Sequence, residues 1–231
     1  MTRYGILGLG RVGSLLATTL VANGHDVSWT DPSIETAPPN AGQRSTLDAI
    51  RTCQVVVECV DECRDTKIAV LEELAGTSAA VLTTTSSFRV ADLASLSGIG
   101  GRLAGFHFLP SYGGNLAEIT SLASDSDVGV SARELAKELN SGWIEVADTP
   151  GRISRRLLVP FVENVLHAVD LNIAAPEAID QVVELGLGHS VGPLRRLATA
   201  GLDDHRATAK ALLDLLPVRT TGTATSEKGT R

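Results

Sequence analysis

The fold of this chain is decided near its amino terminus by the stretch Tyr4-Gly5-Ile6-Leu7-Gly8-Leu9-Gly10-Arg11-Val12-Gly13. Residues 4–7 favour a β-strand, and apolar residues from Val12 to Leu20 then repeat at helical spacing. The three glycines therefore fall where a strand turns into a helix, which is the context of a dinucleotide-binding loop. Glycine permits the tight turn, the close approach of a pyrophosphate to the backbone, and the packing of helix on strand. We predict that Gly8, Gly10, Arg11, Val12 and Gly13 bind the cofactor.

An acidic residue follows at the distance that such a loop requires. Asn23-Gly24 ends the predicted helix, residues 27–30 favour a second strand, and Asp31 stands at the end of that strand. A carboxylate there can hydrogen-bond the adenosine ribose hydroxyls and would repel a 2′-phosphate, so NAD is favoured over NADP. The alternative is that Asp31-Pro32 is only a turn.

Composition excludes several classes of function. With 231 residues, 43% of them hydrophobic and 20% charged, the chain is long enough for one large domain or two smaller ones. A net charge of -7 argues against a nucleic-acid surface, and no apolar run is long enough for a membrane span. The cysteines Cys53, Cys59 and Cys63 have no histidine at metal-ligand spacing, so we expect reduced thiols in a cytoplasmic protein and no metal site.

Strands and helices alternate through the first two thirds of the chain. Strand-forming runs at 55–60, 79–83 and 103–108 alternate with helical patterns at 64–74 and 90–96. Further strands are predicted at 116–122 and 143–146, on either side of a helix at 131–139. This alternation predicts an α/β fold with a Rossmann-type, doubly wound parallel sheet.

The pattern changes at Asp148-Thr149-Pro150-Gly151, because only helical periodicity follows, at 153–173, 177–185, 194–200 and 208–216. We therefore predict an NAD-binding Rossmann domain at 1–147 and a small all-helical domain for substrate binding and dimerisation at 148–218. Pro160 predicts a kink in the first helix. The last residues, 219–231, are rich in Thr, Gly and Ser and are predicted to be disordered.

Six motifs together resemble the 3-hydroxyacyl-CoA dehydrogenase family, of which the chain would be a short, divergent member. The resemblance extends to about Asp203. In chain order the motifs are Gly8-x-Gly10-x-x-Gly13, Val56-Val57-Glu58-Cys59-Val60-Asp61-Glu62, Thr84-Thr85-Ser86-Ser87, Gly105-Phe106-His107-Phe108, Asp148-Thr149-Pro150-Gly151 and Gly188-x-x-x-Gly192-Pro193.

The resemblance implies a set of site residues. Glu62, Lys67 and Ser86 would line the nicotinamide end of the cofactor, His107 would be the catalytic histidine, and Glu118 would be the carboxylate that orients it. The residue types suit the chemistry, because histidine titrates near neutrality and can exchange a proton with a secondary alcohol. A carboxylate on its other ring nitrogen fixes the tautomer, and Ser86 can hydrogen-bond the substrate oxygen.

Each of these residues also has an ordinary structural interpretation. His107 could be a core residue between two phenylalanines, and Glu118 a surface carboxylate at a strand end. Ser86 and Ser87 could cap the following helix. Glu62 and Lys67 could form a solvated ion pair.

The chain departs from the family on the substrate side. The family has a long helical hairpin after the second strand that helps to hold coenzyme A, whereas only residues 32–54 intervene here. The family's Asn-Pro after the histidine is reduced to Leu109-Pro110, and the final part of its helical domain is absent. Arg155 stands where the family has a catalytic asparagine; arginine only donates and is always charged, so it could clamp a substrate carboxylate or phosphate, or simply face solvent.

These observations predict an NAD-dependent oxidoreductase that interconverts a 3-hydroxyacyl group and its 3-oxo form. The acyl substrate would be carried by coenzyme A or an acyl carrier protein, or would be a small free acid held by Arg155. We also expect a homodimer. The alternative is a catalytically silent NAD-binding sensor or subunit that keeps the scaffold and has lost the chemistry.

Overall fold

The computed structural model describes residues 1–109, 115–123 and 126–215. The predicted disordered tail, 219–231, lies outside these residues, as do Pro110 of the shortened histidine loop and the last residue of the predicted helix at 208–216. Among the described residues, no helix is both long and apolar enough to cross a membrane.

Eight strands form one sheet in the order β3-β2-β1-β4-β5-β6-β7-β8. They are β1 (Arg3–Leu7), β2 (Asp26–Thr30), β3 (Gln43–Arg44), β4 (Val55–Glu58), β5 (Ala80–Thr83), β6 (Leu103–Phe108), β7 (Leu116–Ser121) and β8 (Gly142–Glu145). The order of the first six strands is that of a Rossmann fold, so the predicted fold class is confirmed.

The sheet is parallel except at the junction of β6 and β7. Strand β7 runs antiparallel to β6, and β8 runs parallel to β7. The physical reason is the length of the connection: only seven residues separate Phe108 from Leu116, and a crossover between parallel strands needs a dozen or more.

Helices cover both faces of the sheet. On one face α1 (Arg11–Ala22) and α5 (Asp127–Glu138) pack their buried side chains, and on the other lie α2 (Leu47–Arg51), α3 (Arg64–Glu73) and α4 (Val90–Leu96). Helix α5 begins four residues before the predicted position 131. Its start is set by Ser126, whose hydroxyl accepts the Gly129 N–H at 3.3 Å.

The connection between β2 and β4 is short and holds two small elements, of which the sequence pattern does not indicate the strand. It holds the two-residue strand β3, which pairs with β2 through Ser28↔Gln43 and Trp29↔Arg44, and the five-residue helix α2. Two residues are too few to produce a strand pattern in the sequence. No long helical hairpin occurs within this fully described segment.

The remainder of the described chain is helical. It comprises α6 (Ser154–Asp170), α7 (Pro176–Gln181), a π-helical turn (Val182–Gly186), α8 (Pro193–Ala200) and α9 (Leu202–Leu215). Pro160 lies inside α6, which continues past it. Helix α9 begins six residues before the predicted position 208, and its Ala209 and Leu212 pack against Val159 of α6.

The Gly192-Pro193 motif has a structural explanation in this region. The Asp180 carboxylate accepts the N–H groups of Leu194 and Arg195, at 2.8 and 3.0 Å, and thereby caps α8. A Cβ atom at residue 192 would lie 2.2 Å from the Asp180 carboxyl carbon, so only glycine allows this capping contact.

Candidate active site

The three fingerprint glycines have different surroundings. Gly8 has a φ of +90°, and a Cβ there would lie 2.7 Å from the Cys59 carbonyl oxygen. A Cβ on Gly13 would lie 2.0 Å from the Gly8 carbonyl oxygen, whereas a Cβ on Gly10 would have no atom within 4 Å. Gly8 is therefore required where the loop passes the backbone after β4, and Gly13 where α1 packs on the loop. Gly10 leaves the backbone at the start of α1 open, as a bound pyrophosphate requires.

Asp31 lies at the end of β2 and holds the glycine loop in place. Its Oδ2 accepts the Leu9 N–H at 2.7 Å, and its Oδ1 accepts the N–H and the hydroxyl of Ser33 at 2.8 and 2.7 Å. The Ile34 N–H also donates to this carboxylate, so Asp31 accepts four hydrogen bonds from the chain, and a ribose hydroxyl would have to share one of its oxygens. Burial raises the pKa of Asp31, but the bonds from Ser33 and Leu9 outweigh it and lower the pKa below its usual value. The surroundings of the loop and of Asp31 therefore fit a dinucleotide.

Glu62 and Lys67 are not a solvated pair, because Lys67 is fully buried. Its ammonium donates to Glu58 Oε1 at 2.8 Å and to the Val60 carbonyl oxygen at 3.0 Å, and lies 3.6 Å from Glu62 Oε2. With no exposed surface, the Lys67 side chain supports the carboxylates of Glu58 and Glu62 from the interior. Sequence reasoning assigned no role to Glu58, the fully buried carboxylate that pairs with Lys67.

Ser86 lies in a turn after β5, and hydrogen bonds to Glu62 hold this turn in place. Glu62 Oε1 accepts the N–H groups of Ser86 and Ser87 at 2.9 and 2.7 Å, and the Thr85 hydroxyl at 2.7 Å. Burial raises the pKa of Glu62, but Lys67 and these hydrogen bonds lower it overall, so the carboxylate stays charged.

The serines do not cap the following helix. The N-cap residue of α4 is Arg89, and the N–H groups of Val90 and Ala91 are accepted by the Asp148 carboxylate at 2.8 and 2.9 Å. The capping interpretation is therefore wrong, and the Asp148 motif has a clear function: it ties α4 to the start of the helical region.

His107 and Glu118 form a buried pair because they face each other across β6 and β7. The register places them directly opposite, with Nδ1 2.9 Å from Oε2. Their exposed fractions are 4% and 2%, so Glu118 is not a surface carboxylate. Cross-strand partners share one face of the sheet. Here that face carries polar residues, while Phe106 and Ile119 point into the core on the other face.

The beginning of α6 holds Glu118 in a charged state. Glu118 Oε1 accepts the N–H groups of Ile153 and Ser154 at 3.1 and 2.9 Å, and Oε2 accepts the Ser154 hydroxyl at 2.7 Å. Burial raises the pKa of Glu118, but the bonds from His107 and Ser154 lower it to about 2. Ser154 was missed at the sequence level, because nothing in its local pattern places it against a residue 36 positions away.

Two arginines add positive charge beside His107. Arg155, on α6, is partly buried, and Arg152, in the turn before α6, is 2% exposed. Burial lowers the pKa of His107 below its usual value, and both guanidiniums add to that lowering, while the bond to Glu118 opposes it. His107 is therefore a neutral imidazole near pH 7. Arg152 was not singled out from the sequence.

These features define a class of protein: a Rossmann-type dinucleotide-binding protein with a buried His–Glu pair across strands β6 and β7 of its sheet. Family models identify it further. The model for the NAD binding domain of 3-hydroxyacyl-CoA dehydrogenase matches residues 35–149, and the model for the C-terminal domain of the same enzyme matches residues 151–226. The chain belongs to the 3-hydroxyacyl-CoA dehydrogenase family.

Individual relatives agree with this assignment. The chain is 30% identical to a probable 3-hydroxybutyryl-CoA dehydrogenase of Bacillus subtilis over 163 residues, which are 68% of this chain and 57% of the relative. It is 26% identical to a protein of the same description from Deinococcus radiodurans, over 93% of this chain and 87% of the relative. Among solved structures, M. tuberculosis FadB2 shares the fold, with a TM-score of 0.80, 22% identity and coverage of 93% of this chain and 87% of that chain.

Proposed function

We propose that this protein is an NAD-dependent oxidoreductase that interconverts a 3-hydroxyacyl group and its 3-oxo form, with His107 as the general acid and base. The observation that carries the proposal is the buried pair of His107 and Glu118, 2.9 Å apart, in a chain of this family. Relatives named 3-hydroxybutyryl-CoA dehydrogenase support the substrate class.

The hydrogen bonds of the pair decide which ring nitrogen does the chemistry. Glu118 is ionised at neutral pH, since its pKa is about 2, and a carboxylate only accepts hydrogen bonds. His107 Nδ1 therefore carries the hydrogen, and Nε2 carries the lone pair. In the oxidative direction Nε2 accepts the hydroxyl proton of the substrate, and in the reductive direction it returns that proton.

NAD, when bound, supplies the hydride acceptor or donor. The fingerprint residues Gly8, Gly10, Arg11, Val12 and Gly13 would bind its pyrophosphate, and Asp31 the adenosine ribose. Glu62 would lie at its nicotinamide end, with Lys67 acting through Glu62. Ser86 would donate a hydrogen bond to the substrate oxygen from a turn that Glu62 keeps fixed.

The short connection between β2 and β4 bears on which carrier presents the acyl group. Residues 32–54 contain only β3 and α2, so the chain lacks the helical hairpin by which the family holds coenzyme A. We therefore propose a substrate on an acyl carrier protein, or a free acid whose carboxylate pairs with Arg155. The test is NADH oxidation with one 3-oxoacyl group presented on coenzyme A, on a carrier protein and as the free acid.

The outcomes of this screen separate the alternatives. Faster turnover with the carrier-bound or free substrate supports the proposed carrier, and equal or faster turnover with a long-chain acyl-CoA contradicts it. Absence of turnover with all three, while NADH still binds, would favour the silent NAD-binding protein. The two arginines that disfavour a charged His107 are the feature that motivates this second possibility.

We also propose that the helical region forms a homodimer in the cytoplasm. Several of its large apolar side chains are exposed, among them Leu157 at 68% and Leu185 at 85%, and such a surface is typical of an interface. The three free thiols fit a reducing compartment. Light scattering of the full chain should give twice the monomer mass of 24.1 kDa.

A further inference from the structure

Arg152 is placed in the interior by an uncommon backbone conformation. It follows Gly151 in the turn before α6, and its φ is +45°, in the left-handed region that residues with a side chain rarely adopt. Its N–H donates to the Thr149 carbonyl oxygen at 3.1 Å, which closes the turn. The side chain is consequently directed away from solvent, with 2% of the residue exposed.

The guanidinium of Arg152 joins three parts of the site. Nη1 donates to the carbonyl oxygen of Thr85, the residue before Ser86. Nε donates to the Thr120 hydroxyl of β7 at 3.3 Å. Nη2 lies over Gly105 of β6, where an added Cβ would be only 2.5 Å from it. The absence of a side chain at Gly105 thus makes room for the guanidinium.

The charge of Arg152 is not neutralised by direct contact. Nη2 is buried without a hydrogen-bond partner in the described part of the chain, and the carboxylates of Glu62, Glu118 and Asp148 act on the guanidinium electrostatically from a distance. A buried charge without a contacting counter-ion is costly to fold. A neutral side chain with hydrogen-bond donors could link the same elements at a lower cost. The positive charge of Arg152 therefore calls for a functional explanation.

We propose that Arg152 is a positioning residue of the hydride-transfer site, which fixes the Ser86 turn against the His107 strand and supplies positive charge beside the imidazole. The proposal rests on the proposed function, because it assigns Arg152 a part in the same reaction. Ser86 lies in the turn after β5 and His107 on the neighbouring strand β6, and one rigid guanidinium spans the elements that carry them.

The groups that face His107 predict the effect on its protonation. Glu118 faces it from β7, Arg152 from the turn, and Arg155 and Ser154 from α6. Glu118 favours the imidazolium, whereas both arginines and burial disfavour it. Loss of the charge on Arg152 should therefore raise the pKa of His107. Oxidation needs the neutral imidazole, so its kcat rises as pH passes the pKa of His107, and reduction needs the protonated imidazole, so its kcat falls there. With a raised pKa, both of these pH limbs should move to higher pH.

The experiment compares two variants. Arg152→Gln removes the positive charge, and Arg152→Lys keeps the charge but loses the planar set of guanidinium N–H donors. Arg156→Gln is the matched control, since Arg156 is exposed and its Nε donates only to the Pro150 carbonyl oxygen. The pKa of His107 is measured in the full chain by NMR titration, with the imidazole signal assigned through His107→Gln. Arg152→Gln should raise that pKa relative to wild type, and Arg156→Gln and Arg152→Lys should not.

Turnover provides a second, independent measurement. Arg152→Lys and Gly105→Ala should each lower kcat by about 10²-fold without moving the pH limbs, because a shift of about 1 Å in a reacting group can cost that much. Equal His107 pKa values in Arg152→Gln and Arg156→Gln would overturn the charge effect, and wild-type kcat in both Arg152→Lys and Gly105→Ala would overturn the positioning.

The design also separates this proposal from the proposed function. If wild type turns over no 3-oxoacyl substrate, the proposed function fails, while the NMR titration still decides whether Arg152 acts on His107. If Arg152→Gln does not fold, Arg152→Met provides a second neutral variant. If neither neutral variant folds, the kcat values of Arg152→Lys and Gly105→Ala decide the proposal. Values equal to that of wild type in both variants would overturn it.

Discussion

The cofactor side and the substrate side of this molecule are built in different ways. The glycine loop, Asp31 and Ser33 lie within 26 residues of one another in sequence, from Gly8 to Ser33, and Asp31 binds the loop directly. The substrate side instead draws on four distant segments: the Ser86 turn, β6, β7 and the start of α6. The first depends on local backbone geometry, and the second on strand register and on how the helical region docks. Substitutions on the cofactor side should therefore mainly weaken nucleotide binding, and those on the substrate side should mainly reduce turnover.

Replacement of His107 with Ala should have the largest effect on turnover. Without Nε2 the proposed general acid and base is lost, and general acid–base catalysis of this kind contributes about 10²–10⁴-fold. We expect kcat to fall by about 10³-fold or more, while NADH binds with unchanged affinity, since the glycine loop is untouched. His167→Ala, at an exposed position of α6, is the control. Weakened NADH binding in His107→Ala would show that the two sides are not independent.

Glu118→Gln should reduce both turnover and acid stability. The ordinary pKa of the carboxyl is 4.5 and the folded-state pKa is about 2, so this group stabilises the fold above pH 4.5 and loses its contribution as pH falls toward 2. The shift corresponds to roughly 3 kcal/mol in the free energy of unfolding. Urea denaturation between pH 7 and pH 3 should show a weaker pH dependence in the variant, and kcat should fall about 10²-fold because the His107 tautomer is no longer fixed.

The control for this change is Glu145→Gln on the exposed strand β8, where the carboxylate pairs with Arg133 at the surface. Surface pairs contribute little, so its stability should follow the wild-type pH dependence. The interpretation of Glu118 fails if the two variants have the same denaturation midpoints throughout the pH range.

The same contrast explains what the sequence could predict. The dinucleotide loop, Asp31 and the α/β fold class follow from local patterns, because the glycines and the alternation of strands with helices are contiguous in the chain. Even the partners on β6 and β7 leave a trace: Phe106 and Ile119 alternate with His107 and Glu118. What the pattern does not contain is the direction of β7, which only the short connection reveals.

The rest of the substrate side depends on turn geometry. Ser154 reaches Glu118 because α6 begins beside β7, and Arg152 turns inward because its φ is +45°. Neither property can be obtained from residue type or spacing. Arg152 even contradicts ordinary expectation, since arginine is rarely buried without a carboxylate in contact, and the described residues place none against it. Glu58 was missed for a similar reason, because its place in the strand-forming run 55–60 does not show that the Lys67 ammonium lies against it.

A matched pair of glycine variants tests the cofactor side. Gly13→Ala places its Cβ 2.0 Å from the Gly8 carbonyl oxygen, so the loop must move, and overpacking of this kind costs about 1–3 kcal/mol of stability. Gly10→Ala has no atom within 4 Å of its Cβ and should fold with wild-type stability. Both should weaken NADH binding, which fluorescence titration measures. If Gly10→Ala binds NADH normally, the open backbone at Gly10 is not where the pyrophosphate lies.

Asp31→Asn should have the smallest effect and the most specific one. The carboxylate accepts the Leu9 N–H on one oxygen and two donors of Ser33 on the other, whereas an amide can accept on only one side. NADH affinity should therefore fall about tenfold, in line with the loss of one or two hydrogen bonds to a charged group. NADPH affinity should fall less, because the charge that repels the 2′-phosphate is removed as well. Fluorescence titration of both nucleotides measures the ratio, with Asp26→Asn on the exposed start of β2 as the control. A ratio equal to that of the control would mean that Asp31 supports the loop without selecting the cofactor, and the cofactor side would then share the substrate side's reliance on positioning.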